Sequence, residues 1–226
     1  LGIGQGYNSF TMLQLAQATA TLVGGGIKRT PHLVLATQDP VTHTRTPIEI
    51  EQPTNLGYKP ENIEVIRQAL IGVTQGGTST KVFAGATYSS GGKTGTAQAV
   101  SLGQKEKYVA SRMEERQRDH ALYTAFAPAD KPQIAIAAIV ENVGFGAASA
   151  APIARRVFDY WINHTYPSPE DIAATQLGQT AAPTGKSRPA SEFDILRPNA
   201  PTPAASAASA PATASAPVNA NAPRGR

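Results

Sequence analysis

Ser89-Ser-Gly-Gly-Lys-Thr-Gly-Thr-Ala97 is the stretch on which the reading of this chain turns. Small and hydroxyl-bearing residues surround a single cation, Lys93. On a strand the side chains alternate, so Lys93 and Gly95 share one side while Thr94 and Thr96 share the other. An outer strand built this way can offer its backbone to an extended peptide laid alongside it. The ammonium and the hydroxyls can hold a terminal carboxylate, and Gly95 leaves space where a ligand backbone approaches closely. The rival reading is a phosphate loop. That pattern requires glycine five residues before the Gly-Lys pair, where this chain has Thr87. A phosphate loop also opens a helix, and no helical run follows Lys93.

Outward from this stretch, apolar periodicity marks the remaining elements. Upstream, Thr11 with Gln14 has capping-box spacing for a helix, whose apolar face is Met12, Leu15, Ala16, Thr19, Leu22 and Val23 and which ends at Gly24–Gly26. Short strands are predicted over Pro31–Thr37 and Thr46–Glu51, broken at Asp39-Pro40. A second helix starts at Pro60, a favoured first position, and stops at Gly76-Gly77. Strand signals follow at Lys81–Phe83 and Ser89–Val100. The charged run Gly103–Asp119 reads as a surface excursion. Downstream, His120–Pro128 and Gln133–Glu141 form a hairpin, and the second of these is apolar on both faces, as expected of a buried central strand. The Gly/Ala/Ser-rich run Asn142–Ser149 reads as a loop. A last helix begins near Ala150 and Pro152, with Ile153, Val157, Tyr160 and Trp161 as its buried stripe. Hairpin-joined strands covered by helices make the class α+β, with an antiparallel sheet flanked by helices.

Composition sets limits on the rest. Of 226 residues, 41% are hydrophobic, but ten of the 18 prolines fall in 167–226, where the apolar content is largely Ala. Such a segment buries little, leaving an ordering cost of roughly 1–2 kcal/mol per residue uncompensated. Residues 1–166 are therefore read as the folded part and 167–226 as a disordered Ala/Pro/Ser-rich tail. Some of the net charge of +4 comes from Lys186, Arg188, Arg197, Arg224 and Arg226 in that tail, so it says little about the folded surface. With no aromatic-rich strand and no Cys/His spacing, nothing points to a nucleic-acid partner. The absence of cysteine excludes disulfides and thiolate metal sites, and no apolar run reaches the length of a membrane span. The chain opens on Leu1 without a leader, which reads as a piece of a longer protein.

Several segments together resemble one family. Lys93-Thr-Gly-Thr-Ala is the third signature of the penicillin-recognising serine acyltransferases. Gly4-Gln-Gly-Tyr with Thr11-Met-Leu-Gln14, Asp119-His-Ala-Leu-Tyr-Thr-Ala-Phe-Ala-Pro128, Ile139-Val-Glu-Asn-Val-Gly144 and Ala150-Ala-Pro-Ile-Ala-Arg155 resemble, in order, segments of class B penicillin-binding proteins. The Gly-Gln-Gly opening and the charged run before Asp119 look more like the cell-elongation members than the septation members. The resemblance covers Leu1 to about Tyr166 and implies the C-terminal portion of a penicillin-binding, serine β-lactamase-like transpeptidase domain.

What it implies is D,D-transpeptidation: a serine attacks a stem peptide ending in D-Ala-D-Ala, expels the last D-Ala, and passes the acyl group to a neighbouring amine. Lys93 would be the catalytic cation beside the substrate carboxylate. Thr94, Gly95 and Thr96 would bind substrate, with the Thr96 N–H as an oxyanion donor. The implied partners are peptidoglycan stem peptides, β-lactams and membrane proteins of the elongation complex, with no cofactor and no metal. The implied setting is the periplasmic face of the inner membrane, with the anchor upstream.

The chain departs from the family in one respect. The family's Ser-x-x-Lys and Ser-x-Asn precede Lys-Thr-Gly by a long way. Here Ser90-Gly-Gly-Lys93 fits the first only on paper, since two glycines on a strand do not put serine and lysine on one face, and Ser-x-Asn does not occur. The chain alone is therefore expected to be inactive, and a non-catalytic module binding peptides or an elongation partner is the alternative. His120, Glu141 and Asn142 read as packing and hydrogen-bonding residues, and Tyr160 and Trp161 as core. Two further strands in the family's complete sheet would cover the apolar strand Gln133–Glu141, which is otherwise an open edge and a source of poor solubility.

Overall fold

The structure, a computed structural model, describes residues 9–99, 113–143, 146–179 and 181–192. The Gly-Gln-Gly opening, most of the charged run 103–119 and everything beyond 192 lie outside the described residues. Helix α1 (Met12–Val23) starts as read: the Thr11 hydroxyl accepts from the Gln14 N–H, and the Gln14 side chain accepts from the Thr11 N–H. It ends at Gly24, and Gly25 and Gly26 carry the positive φ that turns the chain back. Two small ladders follow: β1 (Ile27–Lys28) pairs with β4 (Thr54–Asn55), and β2 (Ala36–Gln38) pairs with β3 (Arg45–Pro47). Helix α2 (Pro60–Gln75) and the single helical turn α3 (Thr80–Phe83) lead to the main sheet. That sheet is antiparallel, in the order β5 (Gly91–Ala97), β6 (His120–Ala127), β7 (Ile134–Val140). The turn α4 (Gly146–Ser149) and helix α5 (Ala151–Asn163) follow, and then β8 (Thr165–Tyr166), α6 (Pro169–Gln176) and β9 (Arg188–Pro189).

The sheet is the middle of three layers. On one face Ala121, Tyr123, Ala125 and Ala127 of β6 pack against Val82, Phe83, Ala151, Ala154 and Phe158. On the other, Phe126 meets Val23, Ile71 and Ala129. Burying each of the large side chains Tyr123, Phe126 and Phe158, all at 0% exposure, stabilises the fold by about 1.5–3 kcal/mol. Alanine opposite helix α5 lets it sit close to the sheet. Phe83, lying 6.4 Å from the Tyr123 ring and 6.3 Å from Phe158, fills the gap beside it.

One buried cation joins α5 to the segment that precedes β5. The Arg155 Nε donates to both carboxylate oxygens of Asp159, and its Nη1 donates to the carbonyls of Val82 and Ala84 at 3.1 and 3.0 Å. The Tyr88 hydroxyl donates to Asp159 at 2.8 Å. Burial, and then the negative charge of Asp159, push the Tyr88 hydroxyl far above its usual pKa, so it stays a donor.

Several expectations are corrected. The segment Pro31–Thr37 is mostly not strand: only Ala36–Gln38 pairs, and Leu33, Val34 and Leu35 are exposed. Its partner run Thr46–Glu51 contributes only its first two residues to β3, Arg45–Pro47. The break at Asp39-Pro40 does form, with Asp39 Oδ1 accepting from the N–H groups of Val41 and Thr42. Lys81–Phe83 is helical because Val82 and Phe83 both go inward, which successive residues of a strand cannot do. The stripe of α5 is rotated: Ala151, Pro152, Ala154, Arg155 and Phe158 are buried, while Ile153 and Trp161 are 40% and 43% exposed. A paired arginine and small alanines occupy the face where the sequence reading put branched and aromatic residues. Strand β7 lies at an edge of the three-stranded sheet among the described residues, as expected without further strands beyond it, and its two apolar faces are explained by α1 on one side and α5 on the other.

The folded part also does not end at Tyr166. Helix α6 is capped by Ser168, whose Oγ accepts from the Asp171 N–H. Asp171, 1% exposed, takes a two-pronged ion pair from Arg156 of α5 and accepts from the Thr184 N–H. Strand β9 closes the segment by pairing with β8. Composition missed this because a few polar contacts, not apolar area, hold it. Asp171→Ala is expected to strand the Arg156 charge and cost about 3–5 kcal/mol locally. Trypsin should then cleave after Lys186 well before the main sheet opens; unchanged cleavage kinetics would refute the assignment.

Candidate functional site

Strand β5 enters the sheet under α2 and leaves it in the open. Gly91 and Gly92 are buried, Lys93 is exposed, and Thr94 to Ala97 are half-buried. Two contacts fix the start of the strand. Thr74 Oγ1 on α2 donates to the Ser90 carbonyl at 2.6 Å. The Ala129 N–H donates to the carbonyl and the hydroxyl of Ser89 at 2.9 and 3.1 Å. Glycine is required just after. A Cβ on Gly91 would stand 2.6 Å from the Phe126 ring, and one on Gly92 would stand 2.6 Å from Tyr123 Oη and 2.8 Å from the Thr124 carbonyl oxygen. Burial raises the Tyr123 pKa, and the buried Ser79 hydroxyl beside it acts in the opposite direction.

The register places each residue singled out in the sequence. Lys93 lies opposite Thr124, Thr94 opposite Tyr123, Gly95 opposite Leu122 and Thr96 opposite Ala121. Opposed side chains in an antiparallel ladder share a face. Lys93 and Gly95 therefore lie on the Phe126 face of the sheet, and Thr94 and Thr96 lie on the α5 face. The residues are brought together on an outer strand, but the cation and the hydroxyls are on opposite sides of it. A ligand over either face would meet one set; a ligand running along the edge would meet both. The Lys93 ammonium donates to the Thr94 carbonyl at 2.7 Å. The sheet surface near it is open, with Leu122 and Thr124 half-buried and Ile139 38% exposed.

Ser90 is buried, 4% exposed, and lies an odd number of residues from Lys93 along extended chain, so the two project to opposite faces. His120 Nδ1 accepts from the Asn142 N–H at 3.1 Å, which makes it the hydrogen-bonding residue expected. Sequence reasoning missed two features. One is the stacking of Tyr123 on Gly92, for which the Gly-Gly pair was the available signal. The other is Gly146, where a Cβ would stand 2.8 Å from the Gly95 carbonyl oxygen and closer still to that of Leu122. Among the described residues, no cluster of His, Asp and Glu could hold a metal ion.

Gly92→Ala is expected to force Tyr123 off its seat, with an overpacking cost of about 1–3 kcal/mol. A lower urea midpoint for the protein carrying this chain would register it, and an unchanged midpoint would mean that the strand is not pinned here.

Comparison with known proteins gives this geometry a context. Residues 1–159 match the family described as penicillin binding protein transpeptidase domain. The peptidoglycan D,D-transpeptidase MrdA of Haemophilus influenzae is 39% identical over 176 residues, covering 75% of this chain and 26% of that protein. Among solved structures, Pseudomonas aeruginosa PBP2 in complex with WCK 5153 superposes with a TM-score of 0.56 at 38% identity, covering 71% of this chain and 31% of that one. Penicillin-binding protein A from M. tuberculosis, an imipenem acyl-enzyme complex, superposes with a TM-score of 0.56 at 29% identity, covering 71% and 32%. The chain thus spans about a quarter of the MrdA relative's length. With the signature strand on the sheet's outer edge and a family match over most of its length, this chain belongs to the penicillin-binding protein transpeptidases, with relatives of the PBP2 kind.

Proposed function

We propose that the protein carrying this chain is a serine-type peptidoglycan D,D-transpeptidase of cell-wall elongation and a β-lactam target, with β5 as its substrate-docking strand. The observation that carries this reading is Lys93-Thr-Gly-Thr96 on an outer strand with the lysine exposed. A stem peptide ending in D-Ala-D-Ala would add to the outer edge of β5 as a further strand. Lys93 would hold positive charge near its carboxylate and support the proton network. The hydroxyls of Thr94 and Thr96 would reach it over the other side of the edge. The Thr96 N–H would be one of two donors to the developing oxyanion, and such a donor is worth about 2.7–4 kcal/mol in the transition state. The MrdA relative is named for this reaction, and the M. tuberculosis relative forms an acyl-enzyme with imipenem.

The nucleophile in this reading lies outside the chain. No Ser-x-Asn occurs in it, and its one Ser-x-x-Lys runs along extended backbone. Residues 1–226 alone would then not acylate. The reading also places the protein at the periplasmic face of the inner membrane, among the membrane proteins of the elongation complex. No helix among the described residues is long and apolar enough to cross a membrane, so the anchor would lie in another part of the protein.

Fluorescent penicillin tests the reading. The longest open frame encoding this chain should give a covalently labelled band that unlabelled penicillin competes away. Lys93→Ala should slow labelling by about 10²-fold or more. No band at any penicillin concentration would overturn the enzyme and leave the second reading, a module that binds peptides or a partner without acylating.

A further inference from the structure

In a trans peptide unit the carbonyl oxygen and the following N–H point in opposite directions, and the two turn together because the unit is rigid. The Gly95 oxygen and the Thr96 N–H belong to one such unit, so whatever holds the oxygen also aims the donor. That oxygen has a neighbour from far along the chain. Gly146, at the start of α4, is buried against the backbone of β5 and β6. A Cβ on it would overlap the Leu122 carbonyl oxygen and stand 2.8 Å from the Gly95 oxygen and 3.2 Å from the Gly95 nitrogen. So close an approach is possible because Gly95 and Leu122, paired in the ladder, both project to the Lys93 face and leave bare backbone on the other. Gly146 is in turn held from its C-terminal side. Its carbonyl accepts from the Ala150 N–H at 3.0 Å. Ala150 and Ala151 are buried in the cluster that contains Ala121 and Tyr123, and Arg155 ties α5 to the Val82 and Ala84 carbonyls. Gly95 is thus backed by a helix that is itself fixed.

We propose that Gly146 is a positioning residue for the oxyanion donor: by backing Gly95 on the α5 face it fixes the tilt of the Gly95–Thr96 peptide unit, and with it the direction of the Thr96 N–H. This inference deepens the reading of β5 as the docking strand and rests on it. It gives a task in the reaction to a glycine that touches no ligand. A donor aimed at the oxygen of a tetrahedral intermediate acts more strongly there than on the ground-state carbonyl. Mis-aiming it should therefore slow bond formation and leave the grip on the ligand's carboxylate untouched. A displacement of about 1 Å at such a group can cost on the order of 10²-fold in rate.

The test uses the full-length protein and benzylpenicillin, with acylation followed by stopped flow so that the rate constant, the pre-covalent affinity and the fraction labelled are separated. Gly146→Ala should lower the rate constant roughly 10–100-fold with the affinity unchanged. It should weaken binding of a boronic-acid analogue of the tetrahedral intermediate by a similar factor. Asp171→Ala, which loosens the segment after α5 without touching β5, separates this effect from a loss of stability and should label at the wild-type rate constant. A wild-type rate constant in Gly146→Ala would overturn the proposal, as would a slowing matched by Asp171→Ala or a loss confined to the fraction labelled. If Gly146→Ala does not accumulate, Ala147→Gly decides. It keeps the close approach of Gly146 but loosens the turn that carries it, and should slow acylation several-fold; an unchanged rate constant would overturn the proposal. If the wild-type protein does not acylate at all, the transpeptidase reading falls and this inference falls with it.

Discussion

A guanidinium removed from water must find partners for its charge and its donors, and Arg155 finds them on three segments at once. Asp159 is one turn along its own helix, and the Val82 and Ala84 carbonyls belong to the turn that precedes β5. Tyr88, three residues before β5, completes the group by donating to the same carboxylate and lying edge-on to Phe158. Because leaving any one of these groups unpaired in the interior is costly, the helix, the turn and the approach to the strand hold one another at a fixed spacing. The position of β5 relative to α5 is thereby set before any packing of the strand itself is considered.

The next residue along the helix does the same work in the opposite direction. Arg156 turns outward to Asp171 and to the carbonyls of Pro152 and Ala181. Adjacent helical positions point about 100° apart, so a pair of arginines can tie a helix to the turn before β5 on one side and to a following segment on the other. Segment 165–192 is held in this way: Ser168 caps α6 and donates to Thr184, and Arg188 donates to the Pro167 carbonyl while lying over Tyr166. It has almost no apolar core, and its order comes from satisfied polar groups.

This difference separates what the sequence reveals from what it conceals. Periodicity and capping revealed α1, α2, β5, β6 and β7, because each of these either repeats apolar residues at its own period or starts at a recognisable cap. The Lys93 to Thr96 cluster was legible for the same reason, since alternation along a strand is a local property. The face of α5 was not legible, because a hydrophobicity pattern expels Arg155 and cannot know that Asp159 and two carbonyls await it. Segment 165–192 was hidden by its alanine, proline and hydroxyl content. The role of Gly146 was hidden by distance: a glycine some fifty residues after Gly95 gives no local sign that the two backbones touch.

The glycines of β5 also change meaning in the structure. A run such as Gly-Gly-Lys-Thr-Gly suggests a supple strand, since glycine has the most backbone freedom to lose. Here each one marks a contact: Phe126 and α2 at Gly91, Tyr123 at Gly92, and the backbone of Gly146 behind Gly95. The freedom of the chain has been exchanged for close approach on the sides away from the outer edge. If β5 docks a peptide as proposed, its edge gains from this, because ordering of the strand is complete before a ligand arrives and is not charged against its affinity. Lys93, between the second and third of these glycines, is then the one long side chain on a strand whose backbone is held on either side of it.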